Sequence, residues 1–79
     1  MKTQDVIETM NELLNDNTVP KNIKQKLEQI IKSLQQPGDL SLQVNKALSI
    51  LEEISEDVNL QPYTRTQIWN LVSMLETLV

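Results

Sequence analysis

The sequence predicts an all-α fold, an up-and-down four-helix bundle built from two helical hairpins. Three observations carry the prediction. Apolar residues recur at the i, i+3/i+4, i+7 spacing of one helix face in four separate segments. Turns rich in Asn, Asp, Pro and Gly divide those segments, and the second half repeats the apolar pattern of the first at a shift of 41 residues. A chain of 79 residues has room for one core, so a single domain over residues 1–79 is expected.

The first helix is expected over roughly residues 3–15. Val6, Ile7, Met10, Leu13 and Leu14 form its stripe, while Glu8, Asn11, Glu12 and Asn15 fall outside it. Thr3 or Asp5 is placed to cap its start. Asp16-Asn17-Thr18-Val19-Pro20 then breaks the period, with Thr18 positioned to accept from first-turn amides. Pro20 suits a helix start, where no donor is needed. The second helix is expected from about Pro20 to Gln36, on the stripe Ile23, Leu27, Ile30, Ile31 and Leu34. Lys24, Glu28 and Lys32 lie along its opposite face at i, i+4 spacing.

Pro37-Gly38 is the strongest break, and Gly38 is the chain's single glycine. Asp39 follows as the N-cap of a third helix over about 40–57. Leu40, Val44, Ala47, Leu48, Leu51 and Ile54 are expected inward, with Leu42 and Ile50 outside. The fourth helix starts near Pro62 and continues to the end of the chain. Ile68, Leu71, Val72, Leu75 and Leu78 face inward, and Tyr63, Trp69 and Met74 lie on its flanks.

At the 41-residue shift Met10 meets Leu51, Leu13 meets Ile54, Asp16 meets Asp57 and Val19 meets Leu60. Leu27, Ile30 and Leu34 likewise meet Ile68, Leu71 and Leu75. Two hairpins, each apolar on one side, bury those sides against each other. A period of about 40 residues also belongs to HEAT-type repeats, so a two-unit helical-repeat scaffold is the alternative architecture. Two units are fewer than the roughly three a solenoid needs to cover its core. The closed bundle is preferred.

LSILEEISED at 48–57 followed by TRTQIWNLVSMLE at 64–76 resembles an uncharacterised family of small archaeal proteins, uncharacterised protein family 0147. NTVPKNIKQ at 17–25 resembles that family's first interhelical turn, and the similarity covers essentially the whole chain. The resemblance implies a compact four-helix bundle. It carries over no catalytic or ligand residues, because the family has no established activity. Val58 stands where many members would have proline, which leaves the conformation of that loop open.

The chain has no Cys and no His, which removes disulfides, thiolates, the commonest metal ligand and the commonest general base. There is no Ser-His or Cys-His pair and no Gly-rich phosphate loop. The chain is therefore read as a non-enzyme with no catalytic residue, cofactor, metal or small-molecule ligand. A formal charge of −4 and a pI of about 4.6 repel phosphate backbones and make nucleic acid an unfavoured partner. No apolar run approaches the roughly 18–20 residues of a membrane span, so no membrane association is expected. No basic stretch followed by an apolar one opens the chain, so a cytoplasmic location is expected.

Three features invite a functional reading. Glu52, Glu53, Glu56 and Asp57 are the densest acidic group and contain the atoms that bind hard cations. Glu52 and Glu53 point about 100° apart, however, and a solvated face with Asp57 capping or pairing locally is preferred. Lys21, Lys24, Lys26 and Lys32 would serve an accessory RNA- or translation-associated factor, but Glu28 sits among them and no nucleic-acid motif accompanies them. Arg65 and Trp69 at i, i+4 suit a cation–π pair or the centre of a protein interface. A structural role is preferred, with Trp69 closing the core edge and Arg65 reaching an acidic residue such as Glu56 or Asp57.

A core of this size, with nothing covalent to help it, supplies only about 3–5 kcal/mol. Self-association into a homodimer would bury more. The expected role is a protein-interaction or structural module that binds itself or another protein through the outside of helices three and four. Its candidate interface residues are Ile50, Tyr63, Arg65, Trp69 and Met74.

Overall fold

Helices α1 (Thr3–Leu14), α2 (Lys21–Gln35), α3 (Leu40–Ser55) and α4 (Pro62–Glu76) make up the fold. The computed structural model describes residues 3–78, and no strand occurs among them. Val79, which the sequence places in the fourth helix, lies outside the described residues.

Each boundary has a local cause. Asp5 lies within the first turn of α1, where its charge suits the positive helix end. Pro20 precedes α2 with an extended ψ and Pro62 opens α4, both at positions where no amide donor is needed. Asp39 caps α3 as expected: its Oδ1 accepts from the amides of Ser41 at 2.9 Å and Leu42 at 3.4 Å. Thr18 does not cap α2 as expected. Its amide and hydroxyl both donate to Oδ1 of Asp16, at 2.8 and 2.6 Å, so Asp16 organises the turn. The third helix ends two residues earlier than expected because Asp57 has left the helix to build the next turn.

The helices pack as a ring. Helix α1 touches α2 and α4, and α3 touches α2 and α4, with no contact across either diagonal. Stacked HEAT-type units would instead pack α1 on α3 and α2 on α4. The closed four-helix bundle is therefore the architecture, and the repeat scaffold is not. Its extents of 32 × 19 × 19 Å match helices of about 22 Å, at 1.5 Å per residue, lying along one axis.

The core contains Val6, Met10 and Leu13 from α1 and Ile23, Leu27, Ile30 and Leu34 from α2. Val44, Leu51 and Ile54 from α3 and Ile68, Leu71 and Leu75 from α4 complete it. Each fully buried side chain of this kind contributes about 1.5–3 kcal/mol. Three expectations change at the margin. Leu40 is 37% exposed because it sits at the first residue of α3, beyond the neighbours that would cover it. Leu14, Leu48, Val72 and Leu78 are half-buried at the core edge. Ile50 and Met74, placed outside the stripes, also pack against that edge.

The 41-residue shift is visible in the turns. In the first connection Asp16 accepts from the Thr18 amide at 2.8 Å, and the Val19 amide donates to the Asp16 carbonyl at 3.2 Å. In the third, Asp57 accepts from the Asn59 amide at 2.8 Å, and the Leu60 amide donates to the Asp57 carbonyl at 3.2 Å. Val19 and Leu60 then both turn into the core. The same turn is built twice, once in each hairpin.

The middle connection is built differently. Gly38 has φ +155°, which side-chain-bearing residues rarely adopt. The turn lets Gln43 of α3 reach back, where its Nε2 donates to the carbonyls of Ser33 and Gln36, each at 2.8 Å. The Ser33 carbonyl also accepts from the Gln36 amide at 3.3 Å, so the glutamine adds to the closing of the C-terminal end of α2. One glutamine thus clamps the two hairpins together.

Candidate functional site

The five candidate interface residues do not form one patch. At about 100° per residue, Tyr63 and Trp69 lie about 120° apart around α4. Trp69 shares its flank with Val72 and Glu76, which face α3. Tyr63 and Met74 lie on the other flank, toward α1. Ile50 sits on the side of α3 that carries Gln43 and Lys46, which face α2. Arg65 is half-buried at the loop end of α4, and its Nη2 donates to the main-chain carbonyl of Asp57 at 3.1 Å. It reaches Asp57 as expected, but through the backbone rather than the carboxylate.

Trp69 departs from the preferred structural expectation. It does not close the core; it is 59% exposed. It forms one wall of a groove between α3 and α4 whose other lining residues are Leu48, Glu52, Ser55, Val72 and Glu76. The groove encloses about 380 Å³. Leu48 and Val72 supply a half-buried aliphatic floor, and Glu52 and Glu76 put a carboxylate on each helix at the rim. The sequence did contain this signal. Leu48, Glu52 and Ser55 at i, i+4, i+7 and Trp69, Val72 and Glu76 at i, i+3, i+7 each mark a second stripe beside the core stripe.

A larger notch of about 460 Å³ lies between α2 and α3, lined by Gln29, Lys32, Ser33, Gln36, Gln43 and Lys46. Its lining is polar or charged throughout. Gln43 is already committed to the end of α2.

The other charged features are dispersed. Glu52 faces the α4 groove, whereas Glu53 faces α2 and comes within 3.8 Å of Lys26. Asp57 accepts from the Asn59 amide and, at 3.5 Å, from Asn22 Nδ2. Among the described residues no three carboxylates gather to hold a metal ion. The lysines of α2 split as well. Lys26 turns toward α3, while the half-buried Lys24 attracts Asp16 on the other side. Lys32 borders the notch between α2 and α3, and Lys21 remains on the outer face.

Two further features escaped the sequence reading. Asp16 is held below the ordinary aspartate range, first by the Thr18 hydroxyl, then by the Thr18 amide, with Lys24 adding to it. Thr64, in the first turn of α4, is 1% exposed, and its Oγ1 has no hydrogen-bond partner. It occupies the core position that Ile23 fills in the first hairpin.

Known proteins match this arrangement over nearly its full length. The chain is 41% identical to a relative from Archaeoglobus fulgidus, over 92% of this chain and 84% of the relative. It is 40% identical to one from Sulfurisphaera tokodaii, over 96% and 86%. A crystal structure from Thermoplasma acidophilum superposes with a TM-score of 0.91 at 32% identity, covering 96% of this chain and 91% of that one. A second solved structure, of a protein of unknown function, gives 0.86 at 36% identity, covering 94% and 85%. No helix of the described residues is long and apolar enough to cross a membrane. With residues 1–78 matching the family's sequence pattern and the bundle shared, the chain belongs to the Uncharacterised protein family (UPF0147), whose function is uncharacterised.

Proposed function

We propose that this protein is a non-enzymatic helical interaction module whose docking face is the groove between α3 and α4. The observation that supports it is the position of Trp69. A large apolar ring costs solvation free energy when left in water, and here it stands beside a half-buried Leu48 and Val72. Interfaces concentrate their binding energy on such Trp anchors. Loss of Trp69 leaves the core intact, because the indole takes no part in it.

Capture from a native extract tests the reading, with wild type and Trp69→Ser compared side by side. A specific protein should be retained by the wild type and lost by a variant of unchanged melting temperature. Equal retention by both would refute the face. Self-association through the same groove predicts that sedimentation velocity finds a dimer for the wild type and a monomer for Trp69→Ser.

A further inference from the structure

We infer that the occupant of the α3–α4 groove is a cationic amphipathic helix, presented by a partner protein, with aliphatic side chains on one face and Lys or Arg beside them. The inference rests on the docking reading above and adds the chemistry of what docks. Three features of the groove select this occupant. The groove is apolar, with an aliphatic floor from Leu48 and Val72 and an aromatic wall from Trp69, which suits the apolar stripe of a helix laid along two parallel ridges. The rim is anionic on both sides, from Glu52 on α3 and Glu76 on α4. The chain around it carries a formal charge of −4, so approach of a cation is favoured from a distance as well as at contact.

Charge also argues against a second copy of this chain. A two-fold pairing centred on Trp69 sets the same patch against itself. It would bring Glu52 and Glu76 of both copies to one seam, and like charges across an interface oppose association. Arg65, at the loop end of the same flank, is held by the Asp57 carbonyl. Nucleic acid is disfavoured by the same carboxylates.

Trp69 is the chain's single tryptophan, so its fluorescence reports on this groove and nothing else. The probe is a 14-residue helix of Leu and Lys with Leu at i, i+3/i+4, i+7. A twin with Glu for Lys and a scrambled Leu/Lys peptide of the same composition serve as comparisons. Saturable binding of the basic helix, with a blue shift of Trp69 emission that weakens with added salt, is expected. Neither comparison peptide should shift it. Glu52→Lys with Glu76→Lys should weaken the basic helix by about tenfold or more. Glu8→Lys with Glu28→Lys raises the formal charge by the same four units, to zero, on remote exposed helix faces, and should weaken it far less.

Equal weakening by the two charge reversals would overturn the inference, because only net charge would then matter. Equal binding of the acidic twin would overturn the cationic assignment while leaving the groove a docking face. No response of Trp69 to any peptide would overturn the helix occupant, and the extract comparison would still decide the face independently. A blue shift that grows with the protein's own concentration, without peptide, would assign the groove to a second copy instead.

Discussion

Single residues set the turns and the core of this bundle, and four of them carry predictions. The Thr18 hydroxyl is the largest cause of the lowered Asp16 pKa. Thr18→Val should therefore raise the Asp16 pKa toward the ordinary value near 3.9, read by carboxyl NMR titration. A depressed folded-state pKa contributes stability that is complete above the unfolded value and lost as pH falls through the folded one. Wild type should accordingly lose stability on the acid side of about pH 4, and Asp16→Asn should flatten that limb of the curve. Val58 sits at the second position of the Asp57–Leu60 turn, which is closed by the Leu60 amide. Proline is favoured there, no described non-glycine residue has positive φ, and Val58 is exposed. Val58→Pro should therefore stabilise the protein by about 0.4–1 kcal/mol in denaturant titrations. Thr64→Val replaces an unpartnered buried hydroxyl with a methyl and should stabilise by about 1 kcal/mol. Asp39 was legible because an Asp between a Pro-Gly break and an apolar run has few other uses. The burial of Thr64 was legible only through the repeat, which sets it opposite Ile23, since a polar residue gives no apolar signal of its own.

At the scale of elements, the apolar stripes gave the four helices and most of their inward faces. Periodicity reports direction around a helix but not what covers it. Leu40 therefore read as core and is exposed at the uncovered end of α3, whereas Ile50 and Met74 read as surface and pack on the core edge. The link between hairpins was beyond reach of pattern, because Gln43 meets acceptors seven and ten residues away through a turn that only Gly38 permits. Gln43→Leu should cost about 1 kcal/mol, since the Ser33 and Gln36 carbonyls lose the glutamine amide and Ser33 keeps only the 3.3 Å bond from the Gln36 amide. Chemical denaturation would read the difference, and an unchanged midpoint would mean that the clamp contributes nothing. The groove beside Trp69 belongs to this scale too, as two secondary stripes that meet only when α3 and α4 pack side by side.

The whole molecule closes on itself: each helix has two neighbours and one shared interior, so the bundle has no open end for further repeats. Leu51 is fully buried in that interior, and Leu51→Ala should cost about 2–5 kcal/mol while unfolding remains a single transition by circular dichroism. Closure was foreseeable from the matched hairpins, because two apolar sides of equal length satisfy each other. What the interior leaves over is the indole of Trp69, and the account depends on its lying in water until something covers it. Quenching of the lone tryptophan by a neutral quencher such as acrylamide tests this most directly. In the free protein the account predicts easy access at every concentration, and protection once the basic amphipathic helix is added. A tryptophan already shielded in the dilute free chain would contradict it.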